Sequence, residues 1–314
     1  MLGYAVKRTG LAIVITAIAL IILISMIQLI PGDPAAVLLG PLATPAIREQ
    51  FRIAMGLDQP VVIQIARFFG RVVTGDFGTD VLTNRSVLVT VMEQVPYTLS
   101  LIGAGIGWSA LLGIPLGCFA AVRRGSFADR IVGVLSVSMI AVPSFVVAIY
   151  SLLFFSVTLG WFPTIGAGDP GDMLDHLHHL VLPSLAIGLG WVGYIARMVR
   201  ASMLEVLSEN HIRMARAFGL PESIIVYRYA LKLAIIPTVI VLGIGVGHMI
   251  SSAVFAEIVF ARPGVGRLMY DSVITRNYPV VMGGVMLTTV FYVFCTLMAD
   301  LIAAWLDPRV RASL

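Results

Sequence analysis

Long apolar runs alternate with polar segments along this chain. Six runs reach the length of about 20 mostly apolar residues that a helix needs to cross a bilayer, and they lie at 9–30, 97–122, 131–159, 180–196, 233–258 and 280–306. No A-x-A-like site follows the first run, so we expect a permanent span there rather than a cleaved signal peptide. The pattern predicts an all-α membrane protein with six transmembrane helices in a single domain, 1–314.

A polar segment, 31–96, separates the first two runs and carries two amphipathic patterns. Thr44 and Pro45 mark a helix start, after which Ile47, Phe51 and Met55 share one face. A second pattern follows Pro60, with apolar residues at Val61, Ile65, Phe68, Phe69 and Val72. We therefore expect a small helical cap on the external face, which either contacts a soluble partner or seals the pore.

Lysine and arginine are concentrated on alternate loops. They precede the first run, crowd the loop after the second, follow the fourth and recur in the C-terminal tail, whereas the loop 160–179 has none. Positive loops face the cytoplasm, so both termini and the loops after runs two and four are predicted to be cytoplasmic. Arg262, Arg267 and Arg276 oppose this assignment because they lie in a loop that it places outside, but the other loops carry the larger bias.

Composition agrees with a lipid environment. The chain is 59% hydrophobic and 12% charged, whereas soluble domains are about 45–50% apolar and about 25% charged. The formal charge of +4 is explained by cytoplasmic arginines, so we predict membrane lipid and no nucleic acid as its surroundings. Cys118 and Cys295 lie inside apolar runs and are predicted to be buried small hydrophobic residues.

Several kinds of chemistry are missing from the sequence. It contains no H-E-x-x-H and no G-x-S-x-G, and its only lysines, Lys7 and Lys232, lack the glycine-rich context of a phosphate-binding loop. Within the runs the only ionisable candidates for ion coupling are Glu257 and Asp300, both toward span ends, and His248. We therefore predict that the chain is not an enzyme, holds no cofactor and depends on another protein for energy. A stand-alone channel or secondary carrier is the alternative.

The segment 169–179 combines three aspartates with three histidines. Such side chains suit divalent transition metals, but no fixed ligand spacing is present, and a solvated loop is the favoured interpretation. No metal site is predicted, and the weak candidates are Asp172, Asp175, His176, His178 and His179.

The cytoplasmic segment 200–232 contains a short predicted helix of its own. Ala215 and Ala217 favour a narrow helix, Gly219 is suited to end it in a left-handed conformation, and Pro221 prevents its continuation. A stiff helix of this kind fits a groove on a partner protein. The alternative is an amphipathic helix on the inner leaflet, which Arg213 and the basic residue at 216 favour.

The run H-I-R-M-A-R-A-F-G-L at 211–220 resembles the coupling loop of permeases in binding-protein-dependent ABC importers, most closely the dipeptide/oligopeptide/nickel branch. Phe218 stands where that family usually has lysine. Other segments resemble the same branch in the same order: P-G-D-P at 31–34, G-D-F-G at 75–78, P-S-F at 143–145, F-A-R-P-G-V-G-R at 260–267 and L-D-P-R at 306–309.

The resemblance implies a permease subunit in the bacterial inner membrane that forms half of a translocation path. It implies a second homologous permease, two ATP-binding subunits that hold ATP and Mg²⁺, and an external solute-binding protein. Short peptides are the favoured substrate, with nickel or glutathione as alternatives. Carried over from the family's loop, the residues expected to couple to the ATPase are Arg213, Ala215, Arg216, Ala217, Phe218, Gly219 and Leu220.

Overall fold

Helices make up the fold in the computed structural model, which describes residues 2–29, 44–46, 49, 59–169 and 171–306. The first four helices are α1 (Leu2–Leu29), α2 (Val61–Val73), α3 (Val87–Val122) and α4 (Phe127–Ala141). Over the described ranges there is no β-strand, only an isolated bridge between Thr79 and Ser86. The all-α prediction is therefore confirmed.

The second half of the chain continues the helical pattern. α5 (Ser144–Ser151) runs on into a π-helical stretch at Leu152–Thr158, and the long α6 (Met173–Leu207) and the short α7 (Asn210–Ala217) follow. α8 combines Glu222–Ile224, π-helical turns at Ile225–Ala230 and Leu231–Ala234. The last helices are α9 (Ile236–Val259), α10 (Val265–Ile274) and α11 (Tyr278–Leu306).

The third predicted span, 131–159, is interrupted rather than continuous. Val142 is extended (φ −84°, ψ 121°), and α4 and α5 meet at a bend of 95°. The cause is Pro143, which lacks a backbone N–H and disfavours the α conformation in the residue before it. Length and composition qualify four helices among the described residues as membrane spans, or five if the bent pair counts as one. The total of six stays a prediction.

Two compact units divide the chain. One comprises 97–263 and the end of α11 from Cys295, and the other comprises the described residues between Leu2 and Pro96 together with Gly264–Phe294. In the first unit α6 packs against α4, α5 and α9. Small residues also bring α3 close to α6, since the Ser109 hydroxyl donates to the carbonyl of Gly188 at 2.9 Å. Such close backbone approach is typical of helix pairs in lipid.

The second unit has its own apolar core, formed by Val87 and Val91 of α3 with Val265 of α10 and Val280 of α11. In the same unit α1 packs against α2, the second of the two predicted helices of the segment 31–96. Most of the first, at 45–56, lies outside the described residues. The external location of this segment stays a prediction.

Candidate coupling surface

The predicted cytoplasmic helix is present as α7, and its local sequence explains both of its ends. Glu209 precedes it in an extended conformation (φ −70°, ψ 156°), which separates α7 from α6. At the other end Gly219 adopts φ +73°, a left-handed conformation that glycine reaches without strain. Its N–H donates to the carbonyl of Arg216 (2.9 Å), and the N–H of Leu220 donates to that of Ala215 (3.3 Å), so the last turn is closed.

One face of α7 is anchored in a hydrophobic core. Ile212 is fully buried and Ala215 is 8% exposed, and both pack in a cluster that includes Met203 and Val206 of α6 and Ile225 of α8. Leu220 packs against the same cluster. Ala215 and Leu220 therefore hold α7 to its own chain, and the coupling role expected of them stays a prediction.

The opposite face of α7 carries large exposed apolar side chains. Phe218 is 80% exposed and Met214 is 61% exposed, and Arg213, Arg216 and Ala217 are also exposed. Sequence reasoning missed Met214, although its position four residues before Phe218 places the two on one face. We call Met214 and Phe218 the apolar knob of α7.

Arg216 is engaged within the loop. Its Nε donates to Glu222 Oε1 at 2.7 Å across the Gly219 turn, and this hydrogen bond raises the pKa of Arg216. The pair ties the end of α7 to the start of α8, and it neutralises one of the two arginines that favoured an inner-leaflet helix.

The aspartates and histidines that were weak metal-ligand candidates make local hydrogen bonds around the start of α6. Asp172 caps that helix by accepting from the N–H groups of Leu174 (2.9 Å) and Asp175 (3.3 Å). The Asp175 carboxylate accepts the N–H of Asp169 (2.8 Å). Nδ1 of His179 lies 2.9 Å from the Asp175 carbonyl oxygen.

The other two histidines bond to loop carbonyls. His176 Nδ1 lies 2.9 Å from the oxygen of Ala167, and His178 Nε2 lies 2.9 Å from that of Trp161. Across the part of the chain that the structure describes, no group of three or more His, Cys, Asp or Glu side chains is placed to hold a metal ion.

Arg262, which opposed the topology assignment, is fully buried. Its Nη2 donates to Ser100 Oγ (3.3 Å) and lies 3.5 Å from His176 Nε2. Burial lowers the pKa of this guanidinium, and the charge of Glu257, itself fully buried, raises it. The net effect is a lowered pKa, and the orientation of the loop that carries Arg262 stays a prediction.

Comparisons with known proteins agree with this architecture. Residues 113–312 match the family described as binding-protein-dependent transport system inner membrane component, and residues 1–102 match the family of its N-terminal part. The glutathione transport system permease protein GsiC of Salmonella paratyphi A (strain ATCC 9150 / SARB42) is 36% identical over 312 residues, 99% of each chain. The protein of the same name from Escherichia coli (strain K12) is 35% identical over 311 residues, again 99% of each chain.

A solved structure shares the fold. It is an inward-facing conformation of the MetNI methionine ABC transporter, with a TM-score of 0.58 and 21% identity, covering 69% of this chain and 96% of that one. The family match and the full-length relatives confirm the family that the residues at 211–220 resembled. The chain is a multi-pass permease and belongs to the family of inner-membrane components of binding-protein-dependent ABC importers, in the peptide/nickel branch.

Proposed function

We propose that this permease imports short peptides of the glutathione type, driven by ATP hydrolysis on partner subunits. It would form half of the path beside a second homologous permease. Two ATP-binding subunits, carrying ATP and Mg²⁺, would dock on its cytoplasmic side, and an external solute-binding protein would deliver the substrate. Both termini would be cytoplasmic.

The observation that carries the coupling role is the apolar knob on a helix whose other face is anchored. Phe218 and Met214 are large apolar side chains that stay 80% and 61% exposed in the described chain, in a loop that this proposal assigns to the cytoplasm. Exposed apolar surface of this kind marks a contact with a partner. Because Ile212 and Ala215 fix α7 to α6 and α8, a displacement at the knob is transmitted to those helices as a rigid-body movement.

The family relatives support glutathione as the type of substrate. Both GsiC proteins are named for glutathione transport, which favours glutathione, one of the alternatives considered from the sequence, over the dipeptides and oligopeptides that the sequence had favoured. Nickel is the weaker candidate, because the Asp and His side chains that favoured it cap a helix and bond to loop carbonyls. Selection among peptides is expected to lie with the solute-binding protein.

Phe218→Asp tests the coupling role. A charge in place of the apolar knob should prevent docking, so the ATP-binding subunits should no longer co-purify with the solubilised permease. Leu174→Asp is the matched control, since Leu174 is 78% exposed and lies at the other end of α6. Equal co-purification of the ATP-binding subunits with both variants would contradict the coupling role of α7.

Uptake into proteoliposomes tests the substrate and the energy source together. The complete assembly with its solute-binding protein is supplied in turn with labelled glutathione, a labelled dipeptide and Ni²⁺, each with and without ATP. We expect ATP-dependent uptake of glutathione. Uptake that persists when the ATP-binding subunits are omitted would favour the stand-alone carrier, and ATP-dependent uptake of Ni²⁺ alone would replace glutathione by nickel.

A further inference from the structure

The first turn of α4 is held against α6 by one carboxylate. Asp129 is 6% exposed, and its Oδ1 accepts from Nε of Arg200 at 2.5 Å while its Oδ2 accepts from Nη2 at 2.8 Å. Oδ2 also accepts the N–H of Gly125 at 2.9 Å. The guanidinium therefore binds side-on, an arrangement that is both stronger and more directional than a single ion-pair contact.

The turn before α4 prepares this carboxylate for Arg200. Gly125 adopts φ +78° and so turns its N–H toward Asp129. Ser126 is the N-cap, and its hydroxyl accepts the N–H of Asp129 at 3.2 Å, which fixes the backbone from which the carboxylate projects. The acceptor is thus positioned by its own loop, and the distant arginine completes its coordination.

The same two helices meet again deeper in the unit. A side chain at Gly193 of α6 would clash with the carbonyl oxygen of Ser136 in α4, so the two backbones are in direct contact there. α4 is therefore fixed to α6 at two levels, one of them at Arg200. From Arg200, α6 continues for two turns to Leu207 and is followed directly by α7.

We propose that Asp129 and Arg200 are positioning residues that make α4 move together with α6 and α7 during transport. This inference rests on the proposed coupling role of α7 and extends it from α6 and α8, which pack against α7, to α4, which packs against α6. Without the pair, α4 would be held only by apolar and backbone contacts, and movement of α7 would be passed on incompletely.

Spin labels in α4 and α7, with Asp129 and Arg200 unchanged, test whether the two helices move as one rigid body. Phe127→Cys in α4 and Asn210→Cys in α7, both exposed positions, are labelled in a chain carrying Cys118→Ala and Cys295→Ala and assembled with its ATP-binding subunits. The distance distribution is measured without nucleotide and in a trapped ATP state. We expect the same single peak in both states, and a displaced peak in the ATP state would overturn the proposal.

Asp129→Asn and Arg200→Lys test the role of the pair in transport. Asp129→Asn removes the charge at constant shape, and Arg200→Lys keeps the charge but cannot donate the two side-on hydrogen bonds. For each variant that accumulates in the membrane, we expect uptake per ATP hydrolysed to fall by about tenfold, the scale of a typical coupling energy, while ATP hydrolysis continues and the label distance broadens. Glu93→Gln, which breaks the exposed Arg85–Glu93 pair, should leave the ratio unchanged.

Native uptake per ATP in Asp129→Asn or Arg200→Lys would overturn the proposal. Failure of this inference is separable from failure of the proposed function. If Phe218→Asp loses its ATP-binding subunits while both pair variants transport normally, α7 couples but the Asp129–Arg200 pair does not serve it. If Phe218→Asp keeps those subunits and its uptake, the coupling role of α7 itself is wrong, and the pair has no motion to transmit.

Discussion

At Gly117 the backbone of α3 lies so close to α6 that a methyl group would stand 2.5 Å from the carbonyl oxygen of Ala196. Gly117→Ala should therefore destabilise the chain by about 1–3 kcal/mol through overpacking. Thermal unfolding of the solubilised permease measures this loss.

Gly107, in the same helix, is the matched control, because a methyl group added there would have no neighbouring atom within 4 Å. Gly107→Ala should be neutral or stabilise the helix by about 0.5–1 kcal/mol, because glycine is the less favourable residue in a helix interior. Equal destabilisation by both substitutions would show that close packing against α6 is not the cause.

Asp80 is a buried carboxylate that accepts four hydrogen bonds. Burial raises its pKa, but the Thr83 hydroxyl, the Leu82 N–H, the Asn277 side chain and the Thr83 N–H donate to it, and the net effect is a lowered pKa. A folded-state pKa below the unfolded value stabilises the protein above about pH 4, and this contribution is lost as pH falls through the folded-state value.

Asp80→Asn should therefore cost about 1–3 kcal/mol at neutral pH, through lost charge-assisted hydrogen bonds, and progressively less below pH 4. Unfolding temperatures of the native chain and the variant across this pH range check the sign. The exposed Asp76, which accepts one N–H from Gly78, provides the control Asp76→Asn. A difference between native chain and Asp80→Asn that does not shrink in acid would contradict the assignment.

Among the elements, α7 is the one whose stability depends most clearly on a single face. Ile212→Ala removes a fully buried side chain from the cluster that anchors it, and buried isoleucines cost about 2–5 kcal/mol when truncated to alanine. We expect faster hydrogen exchange of the α7 amides in the isolated chain. Met214→Ala, on the exposed face, should leave that exchange unchanged. Equal protection of the α7 amides in the native chain, Ile212→Ala and Met214→Ala would show that Ile212 does not anchor the helix.

The helices could be predicted from the sequence more fully than their contacts. Long apolar runs indicated the helices, and Gly219 and Pro221 indicated the end of α7, because these signals are local. Pro143 lies within the third predicted run, but the 95° bend depends on what packs around it. The burial of Arg262 could not be inferred, since its hydrogen-bond partner Ser100 lies 162 positions away, and the partition of α7 into two faces required knowing where α6 and α8 pass.

For the whole molecule, the proposed topology places the loop 160–169 outside and α7 inside. A membrane-impermeant maleimide should label Thr164→Cys in intact spheroplasts, and Asn210→Cys only after permeabilisation, since both positions are exposed. The native cysteines contribute little background, because Cys118 is buried and Cys295 is half-buried. Labelling of Asn210→Cys from outside would reverse the orientation.

The two faces of α7 also bear on how such transporters diversify. Its inward residues are constrained by the chain's own core, whereas Met214 and Phe218 are mostly exposed and are not members of that core cluster. Under the proposed coupling role, substitutions at those two positions can accumulate without loss of folding, provided that the ATP-binding partner changes with them. On that proposal, duplicated importers in one cell can come to use separate ATP-binding subunits through substitutions at very few residues, while the helix that presents them stays the same.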